Sequence, residues 1–288
     1  MSGSRGLATV DAGSGPLVVL LHGQPGTSAD WTGVVPLLAE RFRVLAPDRP
    51  GYGLTGGRAT DFAGNATAVA ALLEELDAGP AVVVGHSWAG GAAIHLAASA
   101  PDRVAGLVLA ASVGPDPPSA VDRALALPPI GKVAAAVAVG GPAQVLLTPP
   151  VRRRLPPGRR AALEALLGRP LSSPDLRAEP NHAEPHHAEP HHAERRAAVW
   201  RSFAAEQRAY VRDAPGLAVV ARCVRCPVTI LAGSQDRFVP PETARRLAAA
   251  LPAASVELVE LPGLGHLLPQ DAPGEIAAAV AGVAARAG

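Results

Sequence analysis

The chain has 288 residues, 48% of them hydrophobic, enough for one large α/β domain or two small ones with a core that encloses a site without disulfides. The 26 Lys plus Arg against 25 Asp plus Glu leave a formal net charge of +1, no long-range field for phosphate backbones or anionic lipid, so neither nucleic acid nor a membrane is expected as a partner. Gly and Pro, 30 each, stay below the share that marks low-complexity disorder, and with neither a leader-like apolar stretch at the start nor a run long enough to span a bilayer, the expected location is cytoplasmic.

Short apolar runs bounded by Gly, Pro or Asp recur along the chain and read as buried strands. The first, Leu17 to Leu21, is followed by His22-Gly23-Gln24-Pro25-Gly26. That loop is either a plain tight turn or a place where the backbone N–H of Gln24 is offered to a developing oxyanion. The second, Arg43 to Ala46, runs into Pro47-Asp48-Arg49-Pro50-Gly51-Tyr52-Gly53, read as a structural turn. Val69, Leu72, Leu73 and Leu76 then follow helical spacing, with Gly79 as the expected stop. Strands alternating with helices predict an α/β fold: a mostly parallel central sheet with helices on both faces.

The third strand, Ala81 to Val84, enters Gly85-His86-Ser87-Trp88-Ala89-Gly90-Gly91 and an Ala-rich helix. A serine between a buried strand and a helix is forced out on a tight turn, and its neighbours two positions away must be small because the two backbones approach closely. Gly85 meets that demand, and Ala89 adds one methyl where a second glycine is expected. A plain helix N-cap is the simpler role for the serine; the sharper role is nucleophile, with the N–H of Trp88 as second oxyanion donor. A fourth strand, Ala105 to Ala111, follows.

The alternation breaks after Ser112 and resumes near Pro227. Residues 115–221, with prolines paired at 117–118, 128–129, 149–150 and 156–157, look like a helical cap inserted into a core formed by 1–114 and 222–288. Residues 178–194 repeat Ala-Glu-Pro-x-His, and prolines at 180, 185 and 190 forbid a continuous helix. A solvated loop is expected there. Five of the nine histidines lie in it, but nothing rigid fixes a metal geometry, so no metal site is assigned. Arginines 152–154, 159 and 160 read as a solvated face. Beyond the repeat, Trp200, Phe203, Gln207 and Tyr210 share a helix face that either packs on the core or touches substrate.

Cys223 and Cys226 form one C-x-x-C followed by Pro227 and a strand, without the further ligands of a zinc site or the helix of a redox motif, and are expected to be reduced structural thiols. Val228 to Ala232 leads directly to Asp236, and Val256 to Leu261 leads to His266. Strand ends put both on one rim of a parallel sheet. Serine is a weak nucleophile until a histidine takes its proton and a carboxylate holds that histidine. Ser87, Asp236 and His266, each after its own strand and in that order, supply the three roles. Asp116, soon after the fourth strand, is the alternative acid. Trp31, Trp200, Phe203, Tyr210 and Phe238 are the candidate pocket side chains.

With these motifs assembled, the chain resembles the α/β-hydrolase-fold serine hydrolases from about residue 7 to 287. The resemblance rests on His22-Gly23-Gln24-Pro25-Gly26, Asp48-Arg49-Pro50-Gly51-Tyr52-Gly53, Gly85-His86-Ser87-Trp88-Ala89-Gly90, Gly233-Ser234-Gln235-Asp236 and Gly265-His266. It implies one or two antiparallel strands before Leu17, shortened here. Epoxide hydrolases and haloalkane dehalogenases carry similar elbows but use aspartate, which Ser87 replaces. Proline iminopeptidases share the Ser-Trp elbow, but Gln24 departs from their loop and no cap glutamate stands out as an amine binder. The expected activity is cleavage of a small carboxylic ester, without metal or organic cofactor. Carbon–carbon bond hydrolases and iminopeptidase-like enzymes remain alternatives on the same triad, and a non-catalytic small-molecule binding protein is the rival of another class. Oligomeric state is not legible.

Overall fold

Runs of Val, Leu and Ala build seven strands in a computed structural model that describes residues 6–127, 191–252 and 256–288. They are β1 (Thr9–Ala12), β2 (Leu17–Leu21), β3 (Arg43–Pro47), β4 (Ala81–His86), β5 (Val104–Ala110), β6 (Val228–Gly233) and β7 (Val256–Leu261). Their order in one sheet is β1-β3-β2-β4-β5-β6-β7. β1 pairs antiparallel with β3, and the other five pairings are parallel. The expected shortened antiparallel start is therefore a single strand of four residues.

Period two along the buried strands divides the core in half. Leu17, Val19, Leu21, Val83, Leu107, Leu109 and Ile230 face one side. Helices α2 (Phe62–Glu75), α3 (Ala89–Ser99), α6 (Leu217–Ala221) and α7 (Pro241–Ala250) cover it through residues such as Leu73, Ile94, Leu217 and Leu247. Val18, Leu20, Val44, Val82, Val84, Val108 and Leu231 face the other side. They meet α1 (Val35–Ala39), α8 (Leu268–Asp271) and α9 (Pro273–Ala287) through Leu38, Leu268, Ile276 and Val283. With apolar cover on both faces, the strands read as continuous hydrophobic runs. α4 (Ala120–Ala126) and α5 (His191–Asp213) lie between β5 and β6 in the chain.

Three expectations shift. α2 ends at Glu75 and not near Gly79, because Asp77 takes the left-handed conformation at φ 45°. Ala78 N–H then donates back to Leu73 O at 2.9 Å, the closing bond of a Schellman turn. The fourth strand is Val104–Ala110, one residue earlier than expected, since Ala111 turns away at φ 46°. Of the repeat expected as a loop over 178–194, residues 191–194 are helical, within α5 (His191–Asp213). Residues 178–190 and the arginines at 152–154, 159 and 160 lie outside the described residues. No helix among the described residues is long and apolar enough to cross a membrane.

Candidate active site

From β2 the chain crosses to β3 on one side, whereas β4, β5 and the later strands extend on the other, so the sheet changes direction between the paired neighbours β2 and β4. In open parallel sheets such a point leaves a crevice at the carboxyl ends of the strands. The loops after β2 and β4 meet there. They are so close that a Cβ on Gly23 would lie 2.8 Å from His86 Nδ1 and 3.3 Å from Ser87 Cβ, which explains the glycine.

At the end of β4 the serine turn has the strain its motif implies. Ser87 has φ 54°, a conformation that costs a non-glycine residue about 1 kcal/mol or more and persists only where surrounding bonds impose it. Here the Ser87 N–H donates to Ala110 O at 2.9 Å, and its carbonyl accepts from Gly90 N–H at 3.0 Å and Val113 N–H at 3.1 Å. A Cβ on Gly85 would approach Gly90 Cα to 2.7 Å. Ala89, the departure from glycine, is fully buried as the first residue of α3, so its methyl is accommodated.

His266 and Asp236 reach the same rim from the loops after β7 and β6. Asp236 Oδ1 accepts from the N–H groups of Phe238 (2.8 Å) and Val239 (2.9 Å), which fixes the carboxylate and leaves Oδ2 for His266 Nδ1 at 2.8 Å. Because Oδ2 only accepts, the proton sits on Nδ1, and His266 Nε2 is left as acceptor for the Ser87 hydroxyl at 2.8 Å. His86 supports the histidine from behind: its Nε2–H donates to His266 O at 3.0 Å, and the two rings lie 5.2 Å apart. Burial, reinforced by His266, pushes the His86 imidazole down to about 3, so it stays neutral beside His266. The sequence carries no signal for that role. Asp116, the alternative acid, pairs instead with Arg246.

The loop after β2 is pinned by a buried arginine read from the sequence only as part of a turn. Arg49 Nε donates to His22 O and Nη2 to Gly23 O, each at 2.8 Å, and Nη1 to Asn65 Oδ1 at 3.2 Å. His22 donates from Nδ1 to Gly23 O at 2.9 Å and accepts the Arg49 N–H at Nε2 at 3.0 Å, a neutral tautomer consistent with burial driving its pKa well down. Arg49 also forms an ion pair with Glu206 of α5, whose Oε2 accepts from Tyr52 OH at 2.7 Å. Side-chain exposures of 1% for Arg49 and 0% for Glu206 place this pair away from water. Burial pushes the Glu206 carboxyl up, against the pull of Arg49 and Tyr52. Sequence reading missed Glu206, although one signal exists: it stands three residues after Phe203 and four before Tyr210, on the face predicted to be apolar.

Both residues assigned as oxyanion donors tie their side chains to the same helix. Gln24 Nε2 donates to Phe203 O at 2.8 Å and Trp88 Nε1 to Glu206 O at 3.3 Å. The pocket candidates separate. Trp31, the last residue of a capped 3-10 turn (Ser28–Trp31), is fully buried in the second half of the core, edge-on to His86 at 6.4 Å, so it packs as a core side chain. Tyr210 is half-buried against the first half of the core. Trp200 and Phe203 are half-buried on α5. Phe238 is 54% exposed with its ring 5.3 Å from that of His266. Cys223 and Cys226 are free thiols, and no cluster of metal-binding side chains occurs among the described residues.

The family model for the alpha/beta hydrolase fold matches residues 16–273. An uncharacterized protein of Mycobacterium tuberculosis is 32% identical over 270 residues, which cover 91% of this chain and 73% of the relative. Haloalkane dehalogenase 2 of the same organism is 28% identical over 96% of this chain and 91% of its own. Among solved structures, an esterase from Thermogutta terrifontis is similar at TM-score 0.68 and 25% identity, covering 98% of this chain and 93% of the esterase. With a seven-stranded sheet of this order beneath a serine, histidine and aspartate on one rim, the chain belongs to the α/β-hydrolase family and is a hydrolase.

Proposed function

We propose that the protein is a serine hydrolase that cleaves a small carboxylic ester through an acyl-enzyme, beneath a cap formed from residues 115–221. The observation that carries this reading is the unbroken chain Ser87 Oγ, His266 Nε2, His266 Nδ1, Asp236 Oδ2, with both links at 2.8 Å. Ser87 attacks the ester carbonyl while His266 takes its proton; the oxyanion accepts from the N–H groups of Gln24 and Trp88; collapse expels the alcohol, protonated by His266. Water then attacks the acyl-enzyme by the same route, regenerating Ser87 and releasing the acid. Asp236 holds the resting imidazole in the tautomer that accepts at Nε2 and stabilises the imidazolium that forms once the Ser87 proton is taken. The likeness to an esterase supports this choice.

Haloalkane dehalogenases are equally present among the relatives, but a serine nucleophile is unsuited to their substrates. Displacing a halide with Ser87 would leave an ether, which has no carbonyl for water to attack, so the enzyme would stop after one event. An iminopeptidase-like reading finds no support in Glu206, whose carboxylate is already committed to Arg49 and Tyr52.

The test is a panel of p-nitrophenyl esters, lactones, amides, 1,3-diketones and haloalkanes offered to the purified protein, with a fluorophosphonate probe run beside it. Ester turnover and probe labelling, both lost in Ser87→Ala, are expected. Equal labelling of Ser87→Ala, or turnover confined to haloalkanes, would reject the assignment.

A further inference from the structure

We propose that Arg49 and Glu206 are positioning residues that aim the N–H of Gln24 at the oxyanion, so that the oxyanion hole forms only when α5 is docked on the sheet. This inference rests on the serine-hydrolase reading above. It starts from the planarity of the peptide bond: in a trans unit the C=O and the following N–H point in opposite directions. The Gly23 carbonyl receives two donors, Arg49 Nη2 at 2.8 Å and His22 Nδ1 at 2.9 Å. Holding that oxygen turns the N–H of Gln24 the other way, away from the guanidinium.

The guanidinium cannot do this alone. Its five N–H groups form a rigid planar fork, and its orientation is set by the two oxygens of Glu206, which it meets from Nη1 and Nη2. Asn65 takes a further bond from Nη1 at 3.2 Å, and Tyr52 and Trp88 lie against its faces, 5.1 and 4.8 Å from the Arg49 carbon. Glu206 stands on α5, more than 150 residues along the chain from Arg49. The same helix accepts the Gln24 side chain at Phe203 O and the Trp88 side chain at Glu206 O. Thus three tethers, one ionic and two neutral, join both oxyanion donors to a single element outside the sheet core. Hydrogen bonding to charged groups in a water-excluded place is the strong kind, and its loss leaves the partner charge uncompensated.

The prediction separates turnover from substrate binding and from folding. With p-nitrophenyl butyrate as probe substrate, Arg49→Lys keeps a charge opposite Glu206 but loses the fork that reaches His22 O and Gly23 O; kcat is expected to fall about 10²-fold with KM within threefold of wild type, the size of effect seen when one oxyanion donor is lost. The pair Arg49→Met with Glu206→Leu removes both buried charges at similar volume, a change that often keeps or raises thermal stability; Tm should hold while kcat stays down by the same factor. Gln24→Leu keeps the backbone donor and cuts only its side-chain tether, and a kcat loss of about tenfold is expected. Affinity for a trifluoromethyl ketone, whose adduct with Ser87 carries the oxyanion, should fall in step with kcat in all three. Wild-type kcat in a folded Arg49→Lys or double variant overturns the proposal, and if those two variants fail to fold, wild-type kcat in Gln24→Leu overturns it instead. Activity that survives Ser87→Ala would reject the serine mechanism itself, a distinct result from Ser87-dependent activity indifferent to Arg49.

Discussion

The turn around Ser87 and the junction around Arg49 lie side by side in the molecule yet are built by opposite means. The turn is built mainly from a short stretch of chain: Gly85 and Gly90 let strand and helix backbones meet, and the strained serine bonds to Gly90 within the turn and to Ala110 and Val113 at and just past the end of the neighbouring β5. The junction is assembled from His22, Arg49, Tyr52, Asn65 and Glu206, brought together only when α5 lies against the sheet. A turn of the first kind announces itself in a short stretch of sequence, although the neighbouring strand and the residues just past it supply two of the bonds that hold it. A junction of the second kind exists only in the finished fold, and its parts carry no meaning when read singly.

The sharpest way to separate the two regions is to disable the chemistry while leaving both intact. Asp236→Asn should cut kcat by about 10⁴-fold, since the amide favours the wrong imidazole tautomer, while thermal stability changes little; near-wild-type activity would remove Asp236 from the triad. Gly85→Val attacks the turn itself by forcing in a side chain whose Cβ would lie 2.7 Å from Gly90 Cα. A loss of about 3 kcal/mol is expected, read as a drop in Tm together with loss of probe labelling, and an unchanged Tm would show that the turn tolerates bulk.

A smaller effect belongs to the loop that Arg49 pins. Burial carries the Asp30 carboxyl up to about 6 from its ordinary value near 4, so over that window the native chain holds a proton that the unfolded chain has released. Stability therefore falls as pH rises from about 4 to about 6 and is flat beyond, by at most about 3 kcal/mol. Asp30→Asn should flatten that slope in urea melts, and a slope that persists would place its origin elsewhere. The smallest effect is expected at Phe238, which belongs to neither region: with its ring beside His266 and half open to solvent, Phe238→Ala should raise KM a few-fold at constant kcat. A kcat loss instead would mean that the ring holds the base in place.

Much of this was legible in the sequence where local rules apply. Continuous apolar runs gave the central strands to within a residue or two, and the order Ser87, Asp236, His266, each after its own strand, anticipated which side chains meet. The errors came where packing or turn chemistry decides. Gly79 looked like the helix stop, but Asp77 accepts the left-handed conformation two residues earlier. Trp31 looked like a pocket aromatic because a sequence does not say which way a side chain faces after a short 3-10 turn. Glu206 was passed over, despite its place between Phe203 and Tyr210 on one helix, because its partners are named only by the tertiary fold, and a charged residue on a helix is by default solvated.

The strand order also has a bearing on synthesis. β4, with Ser87 just past its end, lies in the middle of the sheet, and β5 beside it is complete once Ala110 has been made. Its open flank must wait for β6 while more than a hundred further residues are added, which at ribosomal speeds of about 5–20 residues per second amounts to several seconds or more. Through that interval an apolar strand carrying Leu107 and Leu109 presents unpaired backbone groups, the feature through which nascent chains associate with one another. Slower growth at low temperature, or a chaperone that occupies strand edges, should therefore raise the soluble yield of this protein more than any change at its catalytic rim.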